Sequence, residues 1–217
     1  MAGTSHAPTA QQMLPSFLCD LPLTCEAVTF AAHHHAGQRR AGDQASFLVH
    51  PVEVAWLLRS CGYPDRVVAA GVLHDVVEDT GADPGEVRVR FGDEVADTVA
   101  VLTEDARIED FAERKRALRT RLLAAGEMPA AIFAADKVSK VREVRLLATR
   151  GETSVTELSA RLDHYRRSLL VLERVLGRRH RLVGDLRFEL ETLAALPPGR
   201  DEGMFEAVLA GSVRPAD

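Results

Sequence analysis

An all-α fold is what this chain predicts. Three observations carry that expectation. Apolar residues recur three, four and seven apart, prolines stand where helices would open, and no segment reads convincingly as a strand. The 217 residues suit one large domain or a domain with appendages, and 46% of them are hydrophobic, enough for a core.

The elements follow in order. Residues 1–20, rich in Ala, Thr, Ser, Pro and Gln, read as a flexible N-terminal arm. A first helix is expected from about Thr24 to Gln38, with Val28, Ala31 and Ala32 at helical spacing. A loop from Arg39 to Val49 leads to His50-Pro51, where proline opens a second helix and His50 sits at its cap. That helix stops near Gly62, and Pro64 opens a third that runs unbroken through Thr80. Pro84 opens a short fourth, which Gly92-Asp93 separates from Glu94 to Leu102. Ile108 to Ala125 is a charged helix with Phe111, Leu118 and Leu122 on its buried side. Pro129 opens a helix so apolar, Ala130 to Ala135, that it belongs in the core; it runs into Asp136-Lys137, whose charges then need partners. Gly151 and a Ser154-x-x-Glu157 capping box precede a long helix, Val155 to Leu176, with Leu158, Leu162, Leu169, Leu172 and Leu176 on one face. A last helix covers about Leu182 to Leu196 and ends at Pro197-Pro198-Gly199. The expected domain is residues 21–196, with a tail over 197–217.

Composition narrows the partners. A net charge of −5 leaves no broad basic surface for nucleic acid. The runs Arg166-Arg167 and Arg178-Arg179-His180-Arg181 fit solvated faces better. No apolar run approaches the roughly 20 residues of a membrane span, and no basic-then-apolar leader opens the chain. Cys19, Cys25 and Cys61 are odd in number and lack CxxC spacing, which suits reduced thiols in a cytoplasmic protein.

Chemistry concentrates in Leu73-His74-Asp75-Val76-Val77-Glu78-Asp79-Thr80. On a continuous helix, residues 74, 75, 78 and 79 fall at about 0°, 100°, 40° and 140°, so four ionisable side chains share a face. Three carboxylates beside an imidazole repel one another unless a cation sits among them. The octet alone admits either a metal site, with His74 and Asp75 as ligands and Glu78 and Asp79 free for acid–base work, or an exposed acidic stripe. His50 at a helix cap and Asp136 on an apolar helix complete a set of two imidazoles and two carboxylates. Such N/O ligation suits Mn, Fe, Zn or Mg, since no thiolate takes part. The tract His33-His34-His35 fits less well, because adjacent helical residues point in different directions.

His50…His74-Asp75…Asp136 resembles the H…HD…D pattern of the HD-domain phosphohydrolases. His35-x-Gly-Gln38-x-Arg40 with His50-Pro51, the octet, and Phe91-Gly92-Asp93-Glu94-Val95 further resemble the hydrolase domain of RelA/SpoT-type enzymes and the small alarmone hydrolases, over about residues 25–175. That resemblance implies an HD-domain helical bundle, a Mn²⁺ cofactor held by His50, His74, Asp75 and Asp136, and a water activated by Glu78 and Asp79. It also implies a nucleotide as small-molecule partner, hydrolysed as a guanosine-3′,5′-bis(diphosphate) 3′-pyrophosphohydrolase would, with Arg40 at the phosphates. Two departures bear on the substrate. Ser46-Phe47 replaces the usual Pro-Tyr, leaving Phe47 a face for a base without a hydroxyl. Lys140 replaces an asparagine that helps hold the nucleotide, and Arg142 adds a second cation nearby. A nucleotidase or NADPH phosphatase is the alternative within the class, and a non-catalytic nucleotide-binding regulator the alternative outside it. The intact Glu78-Asp79 pair argues against the regulator.

Overall fold

The computed structural model describes residues 15–18, 20–152 and 155–196. The helices are α1 (Pro22–His34), α2 (Val49–Ser60), α3 (Asp65–Leu73), α4 (Val76–Thr80), α5 (Pro84–Phe91), α6 (Asp93–Leu102), α7 (Phe111–Ala125), α8 (Glu127–Thr149), α9 (Val155–Val175) and α10 (Arg181–Ala194). Among the described residues the only β pairing is an isolated bridge between Arg39 and Ser46. The fold is all-α, as the spacing predicts. Ser154 of the expected capping box, most of the expected arm and the expected tail lie outside the described residues.

Two helices form the middle. α3 packs on α1, α2, α6 and α8, and Val67 to Leu73 are all buried. Gly71 permits this closeness, since a Cβ there would stand 2.4 Å from Leu58 Cδ1 of α2. α8 packs against α2, α9 and α10 and buries an unbroken run from Pro129 to Ser139. Its small alanines face the core on several sides, and the same run carries Asp136 and Lys137 inside.

The octet departs from expectation. α3 ends at Leu73 and α4 begins at Val76, so His74 and Asp75 occupy a break rather than a continuous helix. The cause is local. His74 Nδ1 lies 2.8 Å from the Gly71 carbonyl, the acceptor that an unbroken helix would offer to the Asp75 N–H. Asp75, at φ −98° and ψ −6°, turns the chain, and α4 closes at Gly81 with φ +72°, a left-handed conformation glycine adopts without strain.

Other boundaries shift for equally local reasons. α1 ends at His34, before Gly37 at φ +80°. α2 opens two residues ahead of Pro51 and α8 two ahead of Pro129, so each proline stands third in its helix, where its missing N–H has no intrahelical acceptor to lose. α7 starts at Phe111 because the Asp110 carboxylate caps it, accepting from Glu113 N at 2.7 Å. Phe111 is therefore not buried as expected: at 58% exposed it lies beside the Lys115 ammonium, 5.2 Å from its ring centre.

The start of α1 is capped from elsewhere in the chain. Asp65, first residue of α3, accepts from Leu23 N and Thr24 N at 2.9 Å each and from Thr24 Oγ1 at 2.6 Å. One carboxylate thus satisfies two orphan donors of α1 and pins it to α3. Asp65→Ala should lower stability by about 1–2 kcal/mol, as loss of a good cap does. In thermal unfolding the melting temperature should fall by roughly 2–8 °C for such a loss in a chain of this size. An unchanged melting temperature would show that the cap is dispensable.

Candidate metal centre

His50 stands in the first turn of α2, His74 and Asp75 at the α3–α4 break, and Asp136 in the buried run of α8. The mutual packing of α2, α3 and α8 brings them together. One donor atom from each lies within 4.8 Å of all the others. His50 Nε2 is 3.3 Å from His74 Nε2, 3.3 Å from Asp136 Oδ1 and 3.5 Å from Asp75 Oδ2. His74 Nε2 is 3.1 Å from Asp75 Oδ2 and 3.6 Å from Asp136 Oδ1. Donors about 2.1 Å from a common ion stand about 3.4 Å apart in a tetrahedral array and about 3.0 Å apart at right angles. The measured separations cluster around those values.

The donor set fits a divalent cation on chemical grounds also. Asp136 Oδ1 is buried and no hydrogen bond satisfies it, although Lys140 Nζ lies 2.9 Å away as an ion-pair partner. His74 directs Nδ1 at a carbonyl, which can only accept, so Nδ1 keeps its hydrogen and Nε2 faces the centre. Burial alone would lower the His74 pKa, but Asp75 and Asp136 outweigh it and push it up to about 10. An ion must displace that proton. Burial opposes ionisation of Asp75 and Asp136 too, yet His74 and Lys140 hold Asp75, and Lys137 and Lys140 hold Asp136, well below the usual carboxylate range.

Glu78 and Asp79 follow on α4. Burial of its carboxyl pushes Glu78 upward, although its Oε2 accepts from Glu104 N at 2.9 Å, and Glu104 and Asp75 push the same way. Burial and then Asp75 push Asp79 upward. The Asp79 carbonyl accepts from Gln38 Nε2 at 3.0 Å, and Gln38 Oε1 lies 2.7 Å from His35 Nδ1, so the segment after α1 braces α4.

Beside His50 opens a cleft of about 350 Å³, lined among others by Arg39, Arg40, Phe47, Lys140, Arg161 and Tyr165. Its loop wall is docked to α8 where Glu143 Oε1 accepts from Gly42 N at 3.0 Å. Arg40 pairs with Asp43 at 2.5 Å, and the Phe47 ring lies 4.6 Å from that of His35. Lys140 reaches inward to Asp136 and, at 3.5 Å, to Asp75, with its side chain 35% exposed. Arg142 corrects the sequence expectation. Its Nε donates to Glu189 at 2.8 Å and its Nη1 to Glu53 at 2.9 Å, so it ties α8 to α10 and α2 and does not line the cleft. Sequence reasoning missed Arg161 and Tyr165. They lie far along the chain on a helix whose stripe announces only packing. The Tyr165 hydroxyl is pushed up to about 12, chiefly by burial, so it remains a donor at neutral pH.

Comparison with known proteins adds ancestry. A model of the HD domain family matches residues 27–162. A probable guanosine-3′,5′-bis(diphosphate) 3′-pyrophosphohydrolase of Synechocystis is 44% identical over 82 residues, 38% of this chain and 11% of the relative. The guanosine-3′,5′-bis(diphosphate) 3′-pyrophosphohydrolase MESH1 of Xenopus tropicalis is 32% identical over 135 residues, 61% of this chain and 75% of the relative. This chain spans only 11–17% of the first curated relatives it matches. Among solved structures, a metazoan orthologue of SpoT that hydrolyses ppGpp superposes with TM-score 0.61 at 26% identity, covering 83% of this chain and 95% of that one. No helix among the described residues is long and apolar enough to cross a membrane.

A divalent cation at about 100 times its Kd should stabilise the chain by about 2.7 kcal/mol. Thermal melts of the wild type should therefore rise with added Mn²⁺, and those of His74→Ala and Asp136→Asn should not. Equal shifts in all three would place the ion elsewhere.

Proposed function

The chain belongs to the HD-domain family, and on that premise we propose that it is a metal-dependent phosphohydrolase of nucleotides, with a guanosine-3′,5′-bis(diphosphate) as first-choice substrate and Mn²⁺ as cofactor. The observation that carries this is the juxtaposition of the four-donor centre with a cleft edged by cations. A divalent cation at the centre would acidify a water and draw charge from a phosphate oxygen.

The rest falls to the chain's own side chains. His50, His74, Asp75 and Asp136 would hold the ion. Glu78 and Asp79, with pKa values raised by burial, are suited to take the proton of the attacking water at a carboxylate oxygen and to pass it on. Water adds to the phosphorus joined to the ribose 3′ oxygen. The P–O bond to that oxygen breaks, pyrophosphate departs intact, and the ribose oxygen takes up a proton. Arg40 and Arg161 line the route for the phosphates, and Arg39 adds a third guanidinium. Phe47 offers a ring face for the base, and Tyr165 a hydroxyl donor. Lys140 shares two carboxylates with the centre, so a cation there would repel its ammonium toward the cleft and the substrate. A lysine at this place favours an added phosphate over a hydrogen-bonded sugar hydroxyl.

Glu78→Gln and Asp79→Asn should each retain Mn²⁺ binding yet lose turnover, by about 10²-fold or more if the pair relays the water's proton. Steady-state kinetics beside a metal-binding isotherm would check this, and full activity in both variants would place the base elsewhere.

The choice of substrate is open to a direct contest. At fixed Mn²⁺, (p)ppGpp and NADPH should both outcompete a nucleoside 5′-monophosphate in phosphate and pyrophosphate release. Preference for the monophosphate would make the protein a nucleotidase. Lys140→Asn should shift the ratio toward the alarmone, and an unmoved ratio would show that Lys140 does not meet the substrate.

A further inference from the structure

We propose that Ser139 and Glu53 are positioning residues that fix the tautomer of His50, so that its Nε2 presents a lone pair to the metal centre. This rests on the metal-centre reading above, and it concerns two residues outside the ligand set. Ser139 is buried one turn beyond Asp136 on α8, and Glu53 lies one turn beyond His50 on α2.

The hydrogens can be counted. Ser139 Oγ donates to Glu53 Oε2 at 2.7 Å. The other Glu53 oxygen accepts from Arg142 Nη1 at 2.9 Å, so this carboxylate is ion-paired and has nothing to donate. The single serine hydrogen is therefore committed to Glu53, and toward His50 the oxygen can only accept. His50 Nδ1 lies 2.9 Å from that oxygen and must carry the hydrogen between them. A neutral imidazole with hydrogen on Nδ1 has its lone pair on Nε2, the atom that faces His74, Asp75 and Asp136. A carboxylate that polarises the serine also strengthens its pull on the Nδ1 hydrogen and makes Nε2 a better donor to an ion. Arg142 gains a role: it holds the carboxylate at the far end of the relay, and Arg142 is itself held by Glu189.

If Glu53 is lost, Ser139 can turn its hydrogen toward Nδ1, and the opposite tautomer then aims an N–H at the centre. The proposal therefore has a readout independent of turnover. In ¹⁵N-histidine-labelled protein without metal, long-range ¹H–¹⁵N correlation spectra should show His50 with its hydrogen on Nδ1. Glu53→Ala should move His50 toward the Nε2–H form. Ser139→Ala should remove the bias and weaken Mn²⁺ binding by about 10–100-fold, the range for loss of a ligand's hydrogen-bond partner, followed by the paramagnetic resonance of free Mn²⁺. Ser139→Thr, which keeps the hydroxyl, should retain the wild-type tautomer. A wild-type His50 that lacks hydrogen on Nδ1, or spectra and Mn²⁺ affinity unmoved in both alanine variants, would overturn the relay. Absence of Mn²⁺ binding by the wild type would instead overturn the metal centre, while the spectra would still decide what Ser139 does.

Discussion

Two carboxylates packed among helices, Asp136 buried and Asp75 partly so, set the terms for this structure. Asp75 and Asp136 sit where α2, α3 and α8 meet, and a buried charge without compensation costs several kcal/mol. The chain surrounds them with His50, His74, Lys137 and Lys140. Lys137 Nζ, 2.6 Å from Asp136 Oδ2 and 4.4 Å from the centre of the Phe133 ring, is an internal counter-charge, although burial pushes its pKa down. It occupies one oxygen of Asp136 and leaves the other facing the imidazoles. That division makes Asp136 at once a core residue and a candidate ligand.

The packing that buries the carboxylates also aims them. Gly71 lets α3 lie against Leu58 of α2, and the alanine run of α8 brings Asp136 up to the same seam. The break after Leu73 then turns His74 and Asp75 into the seam, and Glu78 and Asp79 follow as exposed residues of α4. Stability and chemistry thus use the same contacts. α1, capped by Asp65, supports the arrangement from the other side of α3, and the segment following it reaches the Asp79 carbonyl through Gln38.

Two groups of charges flank the seam. Arg142, Arg145, Glu53 and Glu189 neutralise one another and knit α2, α8 and α10 together. Arg39, Arg40, Lys140 and Arg161 border an open cleft instead, although Arg40 has Asp43 for a partner and Lys140 the buried aspartates. Lys140 and Arg142 are only two positions apart, yet they fall on different sides of α8. Residues two apart on a helix are about 200° apart around its axis.

Much of this was written in the sequence. The 3.6-residue period specified the helices, and the prolines and glycines marked their ends to within a few residues. The apolar run before Asp136 told that a charge was buried. His50, His74, Asp75 and Asp136 could be named as one set because their residue types share a single chemistry. The sequence could not show that His74 breaks its own helix, since that depends on a ring nitrogen taking the Gly71 carbonyl. Nor could it divide Lys140 from Arg142, or find Tyr165, Arg161, Ser139 and Glu53. Periodicity reports which face of a helix is apolar. Which polar side chains meet across helices is set by crossing angle and rotation, and those are fixed only when the cores of α2, α3 and α8 pack together.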